Sequence, residues 1–195
     1  MSARHRPAGR EFFKRWVGAT FAGWLLGFVF IVLAAAGGDL IGVGDGESQF
    51  IVGIAMGAGV GYAQGRVMRR RLDVTWGWVW ASAIGLGVPV GAFDIATAVW
   101  GESWPSIPIA VVTGGLLAGL LQRRILRSRC ARADWWVPAC VAGWTSATGT
   151  AAVSGLLPSG PSAGWFALVN IAVILLGGVV LGIVTGGALV WMLRD

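Results

Sequence analysis

Gln64 and Gln122 recur in one local pattern, Gly-x-x-x-Gly-x-x-Gln, inside otherwise apolar stretches and about one helical turn ahead of arginines, while Thr185 occupies the corresponding place in a third copy. A side-chain amide repeated at one depth can bond across neighbouring helices, or can form a polar ring with Thr185 that binds a ligand or an ion. Bonding between helices is the commoner use, worth roughly 0.6–2 kcal/mol per contact in a membrane. Asn170 and Asp94 complete the set of polar candidates, near the outer ends of their segments, where capping or contact with water accounts for them.

Other chemistry has little to draw on. His5 is the only histidine and lies in the N-terminal tail, so a histidine-based metal or catalytic site lacks its ligands. Cys130, in a basic loop, and Cys140, in an apolar run, have neither a zinc spacing nor the placement of an extracellular disulfide, and read as free thiols. The apolar runs hold no serine and histidine dyad, no aspartate pair, no histidine pair for haem and no mid-membrane acid, and the chain has no phosphate-binding loop. No enzymatic activity, metal or required cofactor is expected; a bound lipid, pigment or quinone stays open.

The elements that must position these residues follow from composition. Hydrophobic residues make up 56% of the 195, charged residues only 12%, and 32 are glycine, a balance that suits a chain solvated largely by lipid. Six apolar runs, at about Trp16–Ala36, Gln49–Met68, Trp76–Phe93, Ile107–Leu126, Trp135–Val153 and Trp165–Leu193, are each long enough as helices to cross a hydrocarbon core of about 30 Å. Barrel strands would alternate apolar and polar residues, and runs such as Ile171 to Leu176 do not. The first run follows Arg4, Arg6, Arg10, Lys14 and Arg15 as a signal peptide's would, but it is too long for one and shares a frame with later helices.

That frame defines a repeat. Trp16-Val17-Gly18-Ala19-Thr20, Trp78-Val79-Trp80-Ala81-Ser82 and Trp136-Val137-Pro138-Ala139-Cys140 align, followed at equal offsets by Gly23, Gly85 and Gly143 and then Trp24, Leu86 and Trp144. The even helices align through Gly57, Gly61 and Gln64; Gly115, Gly119 and Gln122; and Gly178, Gly182 and Thr185. With a period of about 60 residues and two helices per unit, the copies run parallel to one another, not inverted. The expectation is an all-α membrane protein: one domain over 1–195, hairpin units at about 12–71, 72–132 and 133–195, a basic tail at 1–11, and a pseudo-threefold bundle of six transmembrane helices.

Charge orients it. All fifteen Lys and Arg residues fall on one side with both termini, and the opposite loops carry Asp39, Asp45, Glu47, Asp94 and Glu102, which places the termini in the cytoplasm of a bacterium with the chain in its inner membrane. The arginines of the basic loops, chiefly Arg69, Arg70, Arg71, Arg123, Arg124 and Arg127, abut apolar runs, so lipid headgroups are their expected partners and nucleic acid is not. Trp76, Trp78, Trp80, Trp135, Trp136 and Trp191 are expected at the cytoplasmic interface, with Trp100, Trp104 and Trp165 at the outer one.

Small residues every four positions let helix backbones approach closely in lipid, and Gly23, Gly85 and Gly143 on odd helices complement Gly57, Gly61, Gly115, Gly119, Gly178 and Gly182 on even ones. Such stripes can also line a cleft, but packing is the usual role. Trp24 and Trp144 lie deeper than the interfacial tryptophans, where they either fill a core or wall an apolar pocket. Pro89 can kink the third helix.

The repeated W-V-x-A-x-x-x-G-[WL] and G-x-x-x-G-x-x-Q-x-x-x-[ML]-x-x-R segments resemble a group of uncharacterised small bacterial multi-helix membrane proteins over most of the chain, a resemblance that supports the fold and carries no activity. With little chemistry, short loops and surfaces suited to helix docking, the chain reads as an accessory or assembly subunit bound to other integral membrane proteins. The alternative is a small-solute transporter: helix count, size and cytoplasmic termini are similar to the substrate-binding subunits of vitamin-type uptake transporters, although a threefold repeat is not characteristic of those.

Overall fold

A computed structural model describes residues 9–40, 49–74, 76–101, 107–154, 156 and 162–194, and the regular structure among them is helical throughout. The helices are α1 (Arg10–Leu40), α2 (Gln49–Leu72), α3 (Gly77–Trp100), α4 (Ile107–Leu126), α5 (Trp136–Ser154) and α6 (Ala163–Met192), with one 3-10 turn at Ala133–Trp135 before α5. α1 and α3 run well past the expected ends, because Phe12 packs back onto Trp16 and because no glycine or proline interrupts the chain between Ala92 and Trp100. α3 continues through Pro89.

Four helices, α1, α3, α4 and α6, are long and apolar enough to cross a membrane. α4, the shortest of them, has 20 residues and spans about 30 Å. Large apolar side chains such as Val32, Leu33, Ile95, Ile109, Leu168 and Ile171 are more than half exposed. Such an apolar exterior on long helices belongs in lipid, and the chain is a helical membrane protein.

α2 and α5 are rich in glycine and alanine, with threonine and serine added in α5, and carry little leucine and isoleucine. In return they pack closely. Each helix packs against its neighbours in chain order, and α6 packs against α1, so the six form a closed ring. The core runs along its centre, through Trp16, Val60, Met68, Trp78, Leu86, Leu126, Trp136, Leu181 and Leu189.

Two kinds of glycine contact close the ring. Gly23, Gly85 and Gly143 each meet the next helix in the chain. A β-carbon on Gly23 would stand 2.7 Å from both the Gly59 carbonyl oxygen and the Val60 Cα, one on Gly85 would collide with the Ala118 backbone, and one on Gly143 would lie 3.0 Å from Leu181 and Thr185 side-chain atoms. The even-helix glycines of the repeated frame instead face the odd helix that follows, with α6 facing α1, whereas Gly59 and Gly114 face the odd helix before them. Gly61 lies against Val79 and Ser82, Gly119 against Val137 and Cys140, and Gly182 against Val17 and Thr20, which are matching positions of the odd-helix frame. Gly57, Gly115 and Gly178 extend these seams onto Ser82, Trp144 and Trp24 respectively.

The first turn of α2 is held from outside its own helix. The backbone N–H of Phe50 donates to Asp94 Oδ2 of α3 at 2.7 Å, which satisfies one of the open donors at the helix start. Asp94 thus caps a neighbour.

Gly85→Ala is expected to destabilise the bundle by about 1–3 kcal/mol through overpacking, although alanine is the better helix former. Gly18→Ala, where nothing lies within 4 Å of the added carbon, should be neutral or stabilising by up to about 1 kcal/mol. Unfolding in a denaturing-detergent titration of the two variants measures the contrast.

Candidate functional site

At one end of the core three indoles meet. Trp16, Trp78 and Trp136, contributed by α1, α3 and α5, are at most 1% exposed, and their ring centroids lie 5.5–6.3 Å apart in two edge-to-face contacts and one tilted contact. These residues open the three copies of the odd-helix frame. Trp78 and Trp136 therefore do not belong to the interfacial belt expected from their position near the basic loops. Trp76, Trp80, Trp135 and Trp191 are exposed there, and Trp100 and Trp165 at the opposite end are exposed as well; Trp104 lies outside the described residues.

An indole N–H buried in apolar surroundings needs an acceptor, and each of these has one on the even helix that precedes it around the ring. Trp78 Nε1 donates to Gln64 Oε1 at 3.3 Å, Trp136 Nε1 to Gln122 Oε1 at 2.8 Å, and Trp16 Nε1 to Thr185 Oγ1 at 3.0 Å. The first two pairs are separated by the same 14 residues; the third joins residues 169 apart and ties the end of the chain to its beginning.

Each amide also reaches back into its own hairpin. Gln64 Nε2 donates to Thr20 Oγ1 at 3.1 Å and Gln122 Nε2 to Ser82 Oγ at 2.8 Å, and Ser82 Oγ in turn donates to the Trp78 carbonyl at 2.9 Å. Thr185 is too short for this second reach. Its hydroxyl donates to Leu181 within α6 at 2.6 Å, and the matching Cys140 thiol lies 3.6 Å from Gln122 Oε1. Gln64, Gln122 and Thr185 are all at least 96% buried.

These polar groups border a cavity of about 10 Å³, lined also by Val60, Ala118, Trp144 and Leu181. That volume is close to what a single water needs. Beyond the indole layer, Trp24 and Trp144 lie against each other with ring centroids 5.9 Å apart, and both are over 90% buried together with Leu86. They fill the core. Asn170 does not join the ring: its amide donates to the Phe166 carbonyl at 2.8 Å, on the same helix as Thr185 but about 22 Å away along it.

At the basic end the arginines divide. Arg123 and Arg127 both pair with Asp134, which lies in the 3-10 turn before α5, while Arg69 and Arg124 are exposed and the side chains of Arg70 and Arg71 lie outside those described. The Arg123 hydrogen bond, reinforced by the charges of Arg123 and Arg127, holds the Asp134 carboxyl below the usual carboxylate range. This tie acts at neutral pH and is lost as pH falls through the lowered value. Burial pushes the Cys130 thiol up against the opposing pull of Arg129, and both cysteines are buried and free.

Among the described residues no group of His, Cys, Asp or Glu side chains is arranged to hold a metal ion. No family model, curated protein or solved structure matches the chain. The glycine stripes and the amides were legible as packing elements, but the indoles that bond the amides were not. The signal for them was the recurring separation of 14 residues between glutamine and tryptophan.

Gln122→Leu strands the Trp136 N–H and one bond of Ser82, and should cost about 1–3 kcal/mol. In a double-mutant cycle with Trp136→Phe, a coupling of about 0.6–2 kcal/mol is expected, because the second change removes a donor that is already unpaired.

Proposed function

We propose that all six helices cross the membrane as three parallel hairpins about a pseudo-threefold axis, with both termini in the cytoplasm of a bacterium, and that the chain is a non-catalytic accessory or assembly subunit of a larger membrane complex. The matching tryptophan contacts of the three odd helices support the axis. α2 and α5 lie between spanning neighbours, and their many small residues suit helices that face other helices. The segregation of all fifteen Lys and Arg residues supports the orientation.

The observation that carries the functional reading is that the buried amides bond the indoles and hydroxyls of neighbouring helices, although Trp24 Nε1 and Thr97 Oγ1 are buried without a partner. Gln64, Gln122 and Thr185 are used in joining helices, beside a cavity of about 10 Å³ that is too small for an organic solute. A transporter needs a larger site on this path and a way past three indoles in contact. The exposed apolar surface, by contrast, is extensive enough to take partner helices as well as lipid.

Gentle extraction from the native membrane, followed by mass spectrometry of the intact assembly, tests this. The expected result is a stoichiometric complex with another integral membrane protein. A monomer that retains a water-soluble solute would overturn it in favour of transport.

A further inference from the structure

We propose that the cleft between α1 and α2, at the end bearing the basic residues, is a binding site for one anionic phospholipid. The cleft encloses about 830 Å³, with Arg15, Arg66 and Arg69 around it and Gly18, Ala22 and Tyr62 among the residues of its walls. That is room for a headgroup and the upper part of an acyl chain.

Three features suit this ligand. First, the cleft is open because small residues stand on its α1 side: nothing lies within 4 Å of a β-carbon added to Gly18, and in the shared frame Gly18 and Ala22 correspond to Trp80 and Ile84 of α3. The corresponding surface of the second hairpin carries bulk where the first carries space.

Second, its charge is uncompensated. Among the described residues no carboxylate pairs with Arg15, Arg66 or Arg69, whereas Asp134 engages Arg123 and Arg127 at the end of α4. Third, one cation is already positioned: Arg66 Nη1 donates to the Tyr62 hydroxyl at 3.1 Å, and its guanidinium lies 5.8 Å from that ring's centre. A guanidinium held in place suits the two-pronged recognition of a phosphate group. Three cations above an apolar wall match a phosphate attached to acyl chains better than a free anion, which leaves the wall unused.

The proposal rests on the membrane orientation above, which puts this cleft in the cytoplasmic leaflet. The test is native mass spectrometry of the full chain in neutral detergent, titrated with phosphatidylglycerol, phosphatidylcholine or free glycerol phosphate. One phosphatidylglycerol should bind at least about tenfold more tightly than phosphatidylcholine, and joint Arg15→Gln, Arg66→Gln and Arg69→Gln should abolish that preference. Gly18→Trp with Ala22→Ile, which keeps every arginine, should weaken binding by a similar factor, while Arg194→Gln, outside the lining of the cleft, should leave it unchanged.

Equal binding of the two lipids, an unaffected triple variant, or glycerol phosphate competing as well as the lipid would each overturn the site. Orientation is read separately, by labelling Ser162→Cys in intact spheroplasts in a background lacking Cys130 and Cys140. Labelling from outside supports the leaflet assignment; labelling only after lysis would overturn that assignment without touching the detergent result.

Discussion

A buried indole N–H, surrounded by apolar side chains and sealed from water, is costly without an acceptor on a neighbouring helix, and much of this bundle is arranged so that three of them find one, whereas Trp24 Nε1 is buried without a partner. Trp16, Trp78 and Trp136 project from odd helices into one contact at the centre, where each indole donates to the even helix preceding it around the ring. Such a bond is made only when the two backbones are close. Gly61, Gly119 and Gly182 provide that closeness one turn from the acceptor, against Val79, Val137 and Val17, each one residue beyond its tryptophan. Glycine seam and hydrogen bond are therefore one device, since enlarging the glycine would pull the acceptor away from the indole.

The two sets of glycines divide the labour. Gly23, Gly85 and Gly143 hold each hairpin together, and Gly61, Gly119 and Gly182 with their neighbours Gly57, Gly115 and Gly178 hold each hairpin to the next. Gln64 and Gln122 act in both directions, accepting from the following hairpin and donating to their own. Thr185 keeps only the first function. At that position α5 carries Cys140 in place of Thr20 or Ser82, so the amide's second partner is a weak acceptor there and its loss leaves no strong hydrogen-bonding group stranded. Acceptor and partner have changed together, and the essential bond to Trp16 survives.

Much of this was legible in the sequence, for physical reasons. Apolar runs locate helices because the backbone must satisfy itself in lipid, and glycines spaced by four mark close approach. The helix boundaries were less legible, since α1 extends to Arg10 through Phe12 packing on Trp16, a contact between residues on successive turns that hydropathy does not weigh. The role of Trp78 and Trp136 was hidden for a different reason. A tryptophan beside a basic loop satisfies the rule for an interfacial belt whether it faces lipid or core, and only its partner distinguishes the two. Trp76 and Trp80, two residues to either side of Trp78, take the exposed positions that the rule describes.

The bundle thus spends its few buried polar side chains on holding its own helices, and the closure of α6 on α1 is where that account is most exposed, because those helices are the most distant in sequence. The bond that ties them is the one the Trp16 indole donates to Thr185 Oγ1 at 3.0 Å. The direct measurement is a double-mutant cycle of Trp16→Phe with Thr185→Val, read by unfolding of the full chain in a denaturing-detergent titration. A closed ring predicts a coupling of about 0.6–2 kcal/mol between the two changes; strictly additive losses would contradict it.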